Sequence, residues 1–244
     1  MKYLYTILLV LSIISCSTKT EEKKEPIEIN IGEEIALEDQ KPYSELKTET
    51  INKRDEFRER YTGCKGNRLK QDSVLKEAQA YLLNTANHFF KAWYNTPWTF
   101  EGHTQTPREG SIACGYFVTT TLRDMGFNIP RIKWAQQASE SVIIKMTSDI
   151  RRFQNKPIGD IVKYIEEKGE GLYIVGLDCH VGYIYYKNKN MSFVHANYYK
   201  PKIGVMSEPL VGRNPLNDSK YRIIGKIFDT DIVRNWILNT SYPE

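Results

Sequence analysis

His180-Val181-Gly182-Tyr183-Ile184-Tyr185-Tyr186 and Met191-Ser192-Phe193-Val194-His195-Ala196-Asn197 flank the polar segment Lys187-Asn188-Lys189-Asn190. Two runs rich in aromatic and β-branched residues around a short turn-forming segment read as an antiparallel hairpin. With Asn188 and Lys189 as the central turn residues, the register sets 180 opposite 197. Side chains alternate along a strand, so His180, His195 and Asn197 share one face and His195 is the diagonal neighbour of His180. That face carries a titratable base and two candidates for the group that orients it. Cys179 is expected on the opposite face, packed or paired with Cys64.

Working outward, apolar residues at helical spacing mark a core helix with Val74, Leu75, Ala78, Tyr81, Leu82, Phe89 and Trp93, opened by Asp72-Ser73 and closed before Asn95-Thr96-Pro97. His88 falls on its exposed side. A loop over 97–112 leads to Ser111, an N-cap candidate for a helix that begins near Cys114 and runs to about Met125, with Gly126 at a left-handed terminal cap. A further helix is expected over 158–168 with Gly169 as its stop, and strands over 171–177, 180–186, 191–197 and 221–228. Helices and antiparallel strands together predict an α+β domain.

Cys114 in the first turn of a helix is exposed to unpaired N–H groups and to the positive end of the helix dipole, both of which favour a thiolate and supply oxyanion donors. Its competing role is that of a small buried apolar residue, because it shares a stripe with Phe117 and Val118. A zinc site would need Cys114, Cys179, His180 and His195 to converge without any Cys-x-x-Cys spacing, and none is expected.

Pro97-Trp98-Thr99-Phe100-Glu101-Gly102, Ala113-Cys114-Gly115-Tyr116-Phe117-Val118, the His180 motif and Phe193-Val194-His195-Ala196 resemble, in order, the motifs of NlpC-type cell-wall cysteine peptidases. The resemblance spans roughly residues 75–200. It implies a papain-like fold, with a catalytic helix packed on an antiparallel sheet, and no cofactor. It also implies amide hydrolysis in peptidoglycan stem peptides through a thioester, with Cys114 as nucleophile, His180 as base and His195 as the orienting residue. Trp98, His103 and Asn197 become candidate substrate-binding residues, although His103 also fits an exposed loop position. This chain departs from the family where an Asp before and a Ser after the cysteine are usual, having Ala113 and Gly115 instead, and Trp98 replaces a usual Tyr. Rival readings are an amidase or acyltransferase of the same fold acting on another amide or on lipid, and a catalytically inactive binding lipoprotein.

The chain opens with Met1-Lys2, an apolar run over 4–14, then Ser15-Cys16, which reads as a lipoprotein signal over 1–15 with Cys16 as the acylated residue. Two or three acyl chains anchor stably. Residues 16–66 read as a tether rich in Lys, Glu, Thr and Ser followed by a solvated helix, and 67–244 as the cysteine hydrolase domain. These readings place the protein in a bacterial cell envelope, held to the lipid bilayer on its periplasmic or extracellular side. The net charge of +4 comes from basic and acidic residues that are interspersed, with no basic block for nucleic acid, which is not an expected partner.

Overall fold

The computed structural model describes residues 41–244, which belong to one compact unit. The expected signal sequence, the expected acylation site Cys16 and the expected tether up to residue 40 lie outside the described residues. The elements in order are α1 (Tyr43–Gly63), α2 (Arg68–Trp93), α3 (Cys114–Asp124), α4 (Arg131–Ala135), α5 (Ser139–Met146), β1 (Ile150–Gln154) and α6 (Ile158–Lys168). Then follow β2 (Gly171–Leu177), β3 (Val181–Lys187), β4 (Asn190–Ala196), β5 (Val205–Glu208), α7 (Pro215–Asp218), β6 (Tyr221–Ile227) and α8 (Thr230–Ile237). The fold is α+β, with a six-stranded antiparallel sheet ordered β1-β6-β2-β3-β4-β5. Among the described residues no helix is long and apolar enough to cross a membrane.

Every residue of β2 is buried, because helices cover both sides of the sheet. Alternation sorts its side chains: Leu172 and Ile174 join a large core with α2, α3, α5 and α8, while Tyr173 and Val175 join a smaller one with Ile161 and Ile165 of α6. The hairpin register holds as the turn chemistry requires. Tyr183 pairs with Val194 and Lys187 with Asn190, and Asn188 and Lys189 take φ values of 52° and 60°, the left-handed pair of a type I′ turn.

Helix α6 spans 158–168 as expected, and Gly126 follows α3 at φ 93°. Three expectations shift. Helix α2 begins at Arg68, capped by Asn67, whose side chain accepts from the Lys70 amide; its first turn is exposed and so shows no apolar periodicity. Ser111 does not cap α3: its hydroxyl bonds Thr99, and Ala113, which offers no side-chain oxygen, occupies the N-cap.

The third shift concerns the domain boundary placed at residue 67. Helix α1 is not a solvated spacer but part of the compact unit, with Phe57 buried against the rings of Tyr81 and Trp236. Arg54 reaches across to the Gly126 carbonyl at 2.9 Å and to Asn239 at 3.0 Å. Its charged surface hides this role, since Phe57 is the only large apolar side chain of α1 that is fully buried.

Candidate active site

Three segments build the site. Helix α3 delivers Cys114 as its first residue, packed along β3 where the Tyr183 hydroxyl meets the Val118 carbonyl and Thr121, each at 2.9 Å. The β2–β3 turn closes with the Leu177 amide on the His180 carbonyl at 2.8 Å, which sets His180 immediately before β3. The loop over 94–113 is stitched to the β5 edge through Asn95, Thr96 and Val205, and the Trp98 amide, held by the Pro201 carbonyl at 2.8 Å, fixes Trp98 in the cavity lining.

Cys114 and His180 line one cavity of about 680 Å³, walled by Trp98, Tyr198, Phe100 and Tyr116. They also line an adjoining recess of about 500 Å³ on the side of Glu140 and Asp178. The nucleophile candidate therefore sits where two recesses meet. His103 lines the larger one while remaining exposed, its Nδ1 2.9 Å from the Glu101 carbonyl oxygen. Phe100 stands 84% exposed at the rim. Trp98 keeps a buried indole N–H without a partner.

The histidines meet as the register requires. His180 Nε2 lies 2.9 Å from His195 Nδ1, and His195 Nε2 lies 2.9 Å from Oε1 of Glu208. His180 is 4% exposed and His195 fully buried, stacked on Phe193. The other ring nitrogen of His180, Nδ1, is buried and has no partner. Burial, and secondarily the neighbouring His195, hold the His180 imidazolium well below the ordinary histidine range. Burial also lowers His195, while Glu208 opposes the shift. Both rings are therefore neutral at neutral pH.

Cys114 departs from the expectation of a depressed thiol. Burial pushes it up, and the opposing amides of Val181, Gly115 and Cys114 itself do not outweigh that cost. Those amides nevertheless favour negative charge at the sulfur, the property an oxyanion formed beside it would need. The Tyr198 phenol, next to both Cys114 and Cys179, is pushed up to about 12, by burial first, and so remains a neutral donor.

Gly115, where the resembled family usually has a serine, has a steric reason. A Cβ at this position would stand 2.5 Å from the Ala135 carbonyl oxygen, so the close approach of α3 and α4 excludes any side chain.

Two expectations about side chains fail. Asn197 does not reach the cavity: it is buried, its Oδ1 accepts from the amides of Tyr199 and Lys200, and its Nδ2 faces Met206 and Glu208. It shapes the turn after β4 and is removed from the substrate-binding set. Cys179 neither packs away from the site nor pairs with Cys64; it is free, exposed and lines both recesses, because the tight turn before His180 breaks the strand alternation.

Glu208, Tyr198, Tyr116, Gln136 and Gln137 are site residues that the sequence reading missed. None had a readable signal: Val205-Met206-Ser207-Glu208 is a four-residue strand without period-two alternation, and Glu208 comes beside His195 only through the β4–β5 register. A zinc arrangement on the two histidines conflicts with the geometry, since both ring nitrogens of His195 are engaged. Among the described residues no group of three or more His, Cys, Asp or Glu side chains is placed to hold a metal ion.

No protein-family model matches the chain, and no curated protein matches it. Among solved structures, the crystal structure of an N-acetylmuramoyl-L-alanine amidase from Bacteroides uniformis ATCC 8492 is similar over 62% of this chain and 99% of that chain. The identity is 9% and the TM-score 0.31, so the geometry of the site carries the functional reading.

Proposed function

We propose that this chain is a cysteine hydrolase that cleaves amide bonds in peptidoglycan stem peptides, working as the NlpC-type peptidases it resembles. The observation that carries the reading is the unpartnered Nδ1 of buried His180 in a cavity shared with Cys114, while Nε2 is tied to His195. A satisfied structural histidine would not leave a buried ring nitrogen idle.

With both groups neutral at rest, proton transfer accompanies attack. His180 Nδ1 takes the thiol proton as Sγ bonds to the amide carbon, and the amides around the sulfur receive the developing oxyanion. Collapse breaks the C–N bond, and the proton on His180 goes to the departing amine. Water then attacks the thioester, His180 takes its proton, and the Cys114 thiol is regenerated as the acid product leaves. His195 keeps the His180 ring in plane through both steps.

The anchoring half of the proposal rests on Ile13-Ile14-Ser15-Cys16: acylated Cys16 would hold the domain to a bacterial membrane beside its wall substrate. Palmitate labelling of the full chain tests it, and Cys16→Ala should abolish the label. Digestion of purified peptidoglycan with mass analysis of the fragments tests the activity. New amine and carboxyl termini are expected with the wild-type chain and not with Cys114→Ala; equal digestion by both would refute the assignment.

A further inference from the structure

We infer that Glu208 is a positioning residue that fixes, through two hydrogen bonds, which nitrogen of His180 is the base. The inference rests on the hydrolase reading for its importance but not for its geometry.

Glu208 sits at the end of β5, with its side chain only 9% exposed, and puts Oε1 2.9 Å from His195 Nε2. A carboxylate only accepts, so His195 carries its proton on Nε2 and its Nδ1 is a lone pair. That lone pair lies 2.9 Å from His180 Nε2, which must then be the donor. A neutral imidazole holds one proton, so His180 Nδ1 is bare, and this is the buried nitrogen without a partner. Remove the acceptor at Glu208 and neither tautomer is specified; reverse it and the base is protonated where it should accept.

The surroundings of Glu208 make reversal a definite experiment. Oε2 lies 3.5 Å from the Lys200 ammonium, and Oε1 also receives the Asn197 amide at 3.4 Å. In Glu208→Gln the Lys200 charge keeps the amide oxygen at the Oε2 position, against the weaker pull of Asn197. The amide nitrogen then faces His195 Nε2. A donor there moves the His195 proton to Nδ1, which in turn forces the His180 proton onto Nδ1. A wrong-tautomer defect of this kind costs on the order of 10⁴ in a serine triad where the acid touches the base directly. One ring further away, about 10²-fold in kcat is expected with KM within about twofold.

The direct readout needs no substrate. Nitrogen-15 spectra of histidine-labelled protein at pH 7.5 should show His180 and His195 both protonated at Nε2 in the wild type and both at Nδ1 in Glu208→Gln. Adding Lys200→Met to Glu208→Gln frees the amide to turn its oxygen toward His195, and should restore the wild-type pattern and much of the lost kcat. A Glu208 that served only to stabilise β5 would not give rescue by a second truncation. A wild-type His180 protonated at Nδ1, or a Glu208→Gln variant with unchanged tautomers, overturns the inference. Should the tautomers invert as described while the wild type cuts no stem peptide, the inference stands and the hydrolase reading falls.

Discussion

Replacing Gly115 by alanine or serine tests the packing that brings α3 against α4. The new Cβ would lie 2.5 Å from the Ala135 carbonyl oxygen and 3.3 Å from its carbonyl carbon. Ordinary C···O contacts fall near 3.3–3.6 Å, so the two elements must separate by roughly 0.8 Å or more, and backbone cannot swing aside as a side-chain tip can. Overpacking of this kind costs about 1–3 kcal/mol, while the gain in helix propensity returns at most about 1 kcal/mol. A net loss of about 1–2 kcal/mol lowers Tm by roughly 2–8 °C in a domain of this size. Gly159 is a matched control. It too is the second residue of its helix, α6, but nothing lies within 4 Å of a Cβ built there. Gly159→Ala should therefore leave Tm unchanged or raise it by about 1–4 °C. Differential scanning calorimetry of both variants decides the matter, and a Gly115→Ala protein as stable as the wild type would refute the packing argument.

Iodoacetamide at pH 7 should modify exposed Cys179 before Cys114, because burial pushes the Cys114 thiol up; peptide mapping by mass spectrometry that found Cys114 modified first would contradict a neutral resting thiol. His180 and His195 titrate below the ordinary histidine value when folded, so the unfolded chain binds protons that the native one refuses as pH falls through about 6.5. Denaturant midpoints should accordingly drop between pH 7 and 5.5, with a shallower drop in His195→Gln, and a flat profile would count against buried neutral rings. Asn197→Ala should cost about 1–3 kcal/mol by freeing the turn amides while sparing kcat, whereas His195→Ala should cut kcat by about 10²-fold or more with KM little changed; the opposite ranking in kinetic assays would return Asn197 to the site.

The hairpin was legible because two constraints coincided. Period-two alternation and a turn that tolerates positive φ at Asn188 and Lys189 leave one register, and that register places His195 beside His180. Helix α6 was legible for a similar reason, with a clean apolar face ended by a glycine. Strands β1 and β5 were not, since Ile150–Gln154 carries two arginines and Val205–Glu208 has only four residues. Buried polar work leaves no pattern at all: Arg54 tied to Gly126, and Asn197 holding two amides, are read only from which backbone groups they meet. Cys179 was misplaced because alternation was carried through a turn, where successive residues no longer point to opposite sides.

The meeting of two recesses at Cys114 has a kinetic consequence. Under the proposed mechanism, a chain spanning both recesses and cut at Cys114 would leave its halves in different compartments, so the amine fragment could diffuse away without the acyl fragment moving. The compartment it vacated would become the entry path for the second nucleophile, and any amine small enough to follow would compete with water for the proposed thioester. Hydrolysis and transpeptidation would then differ only in what next fills that space, and added amino acids should be found coupled to the acyl product.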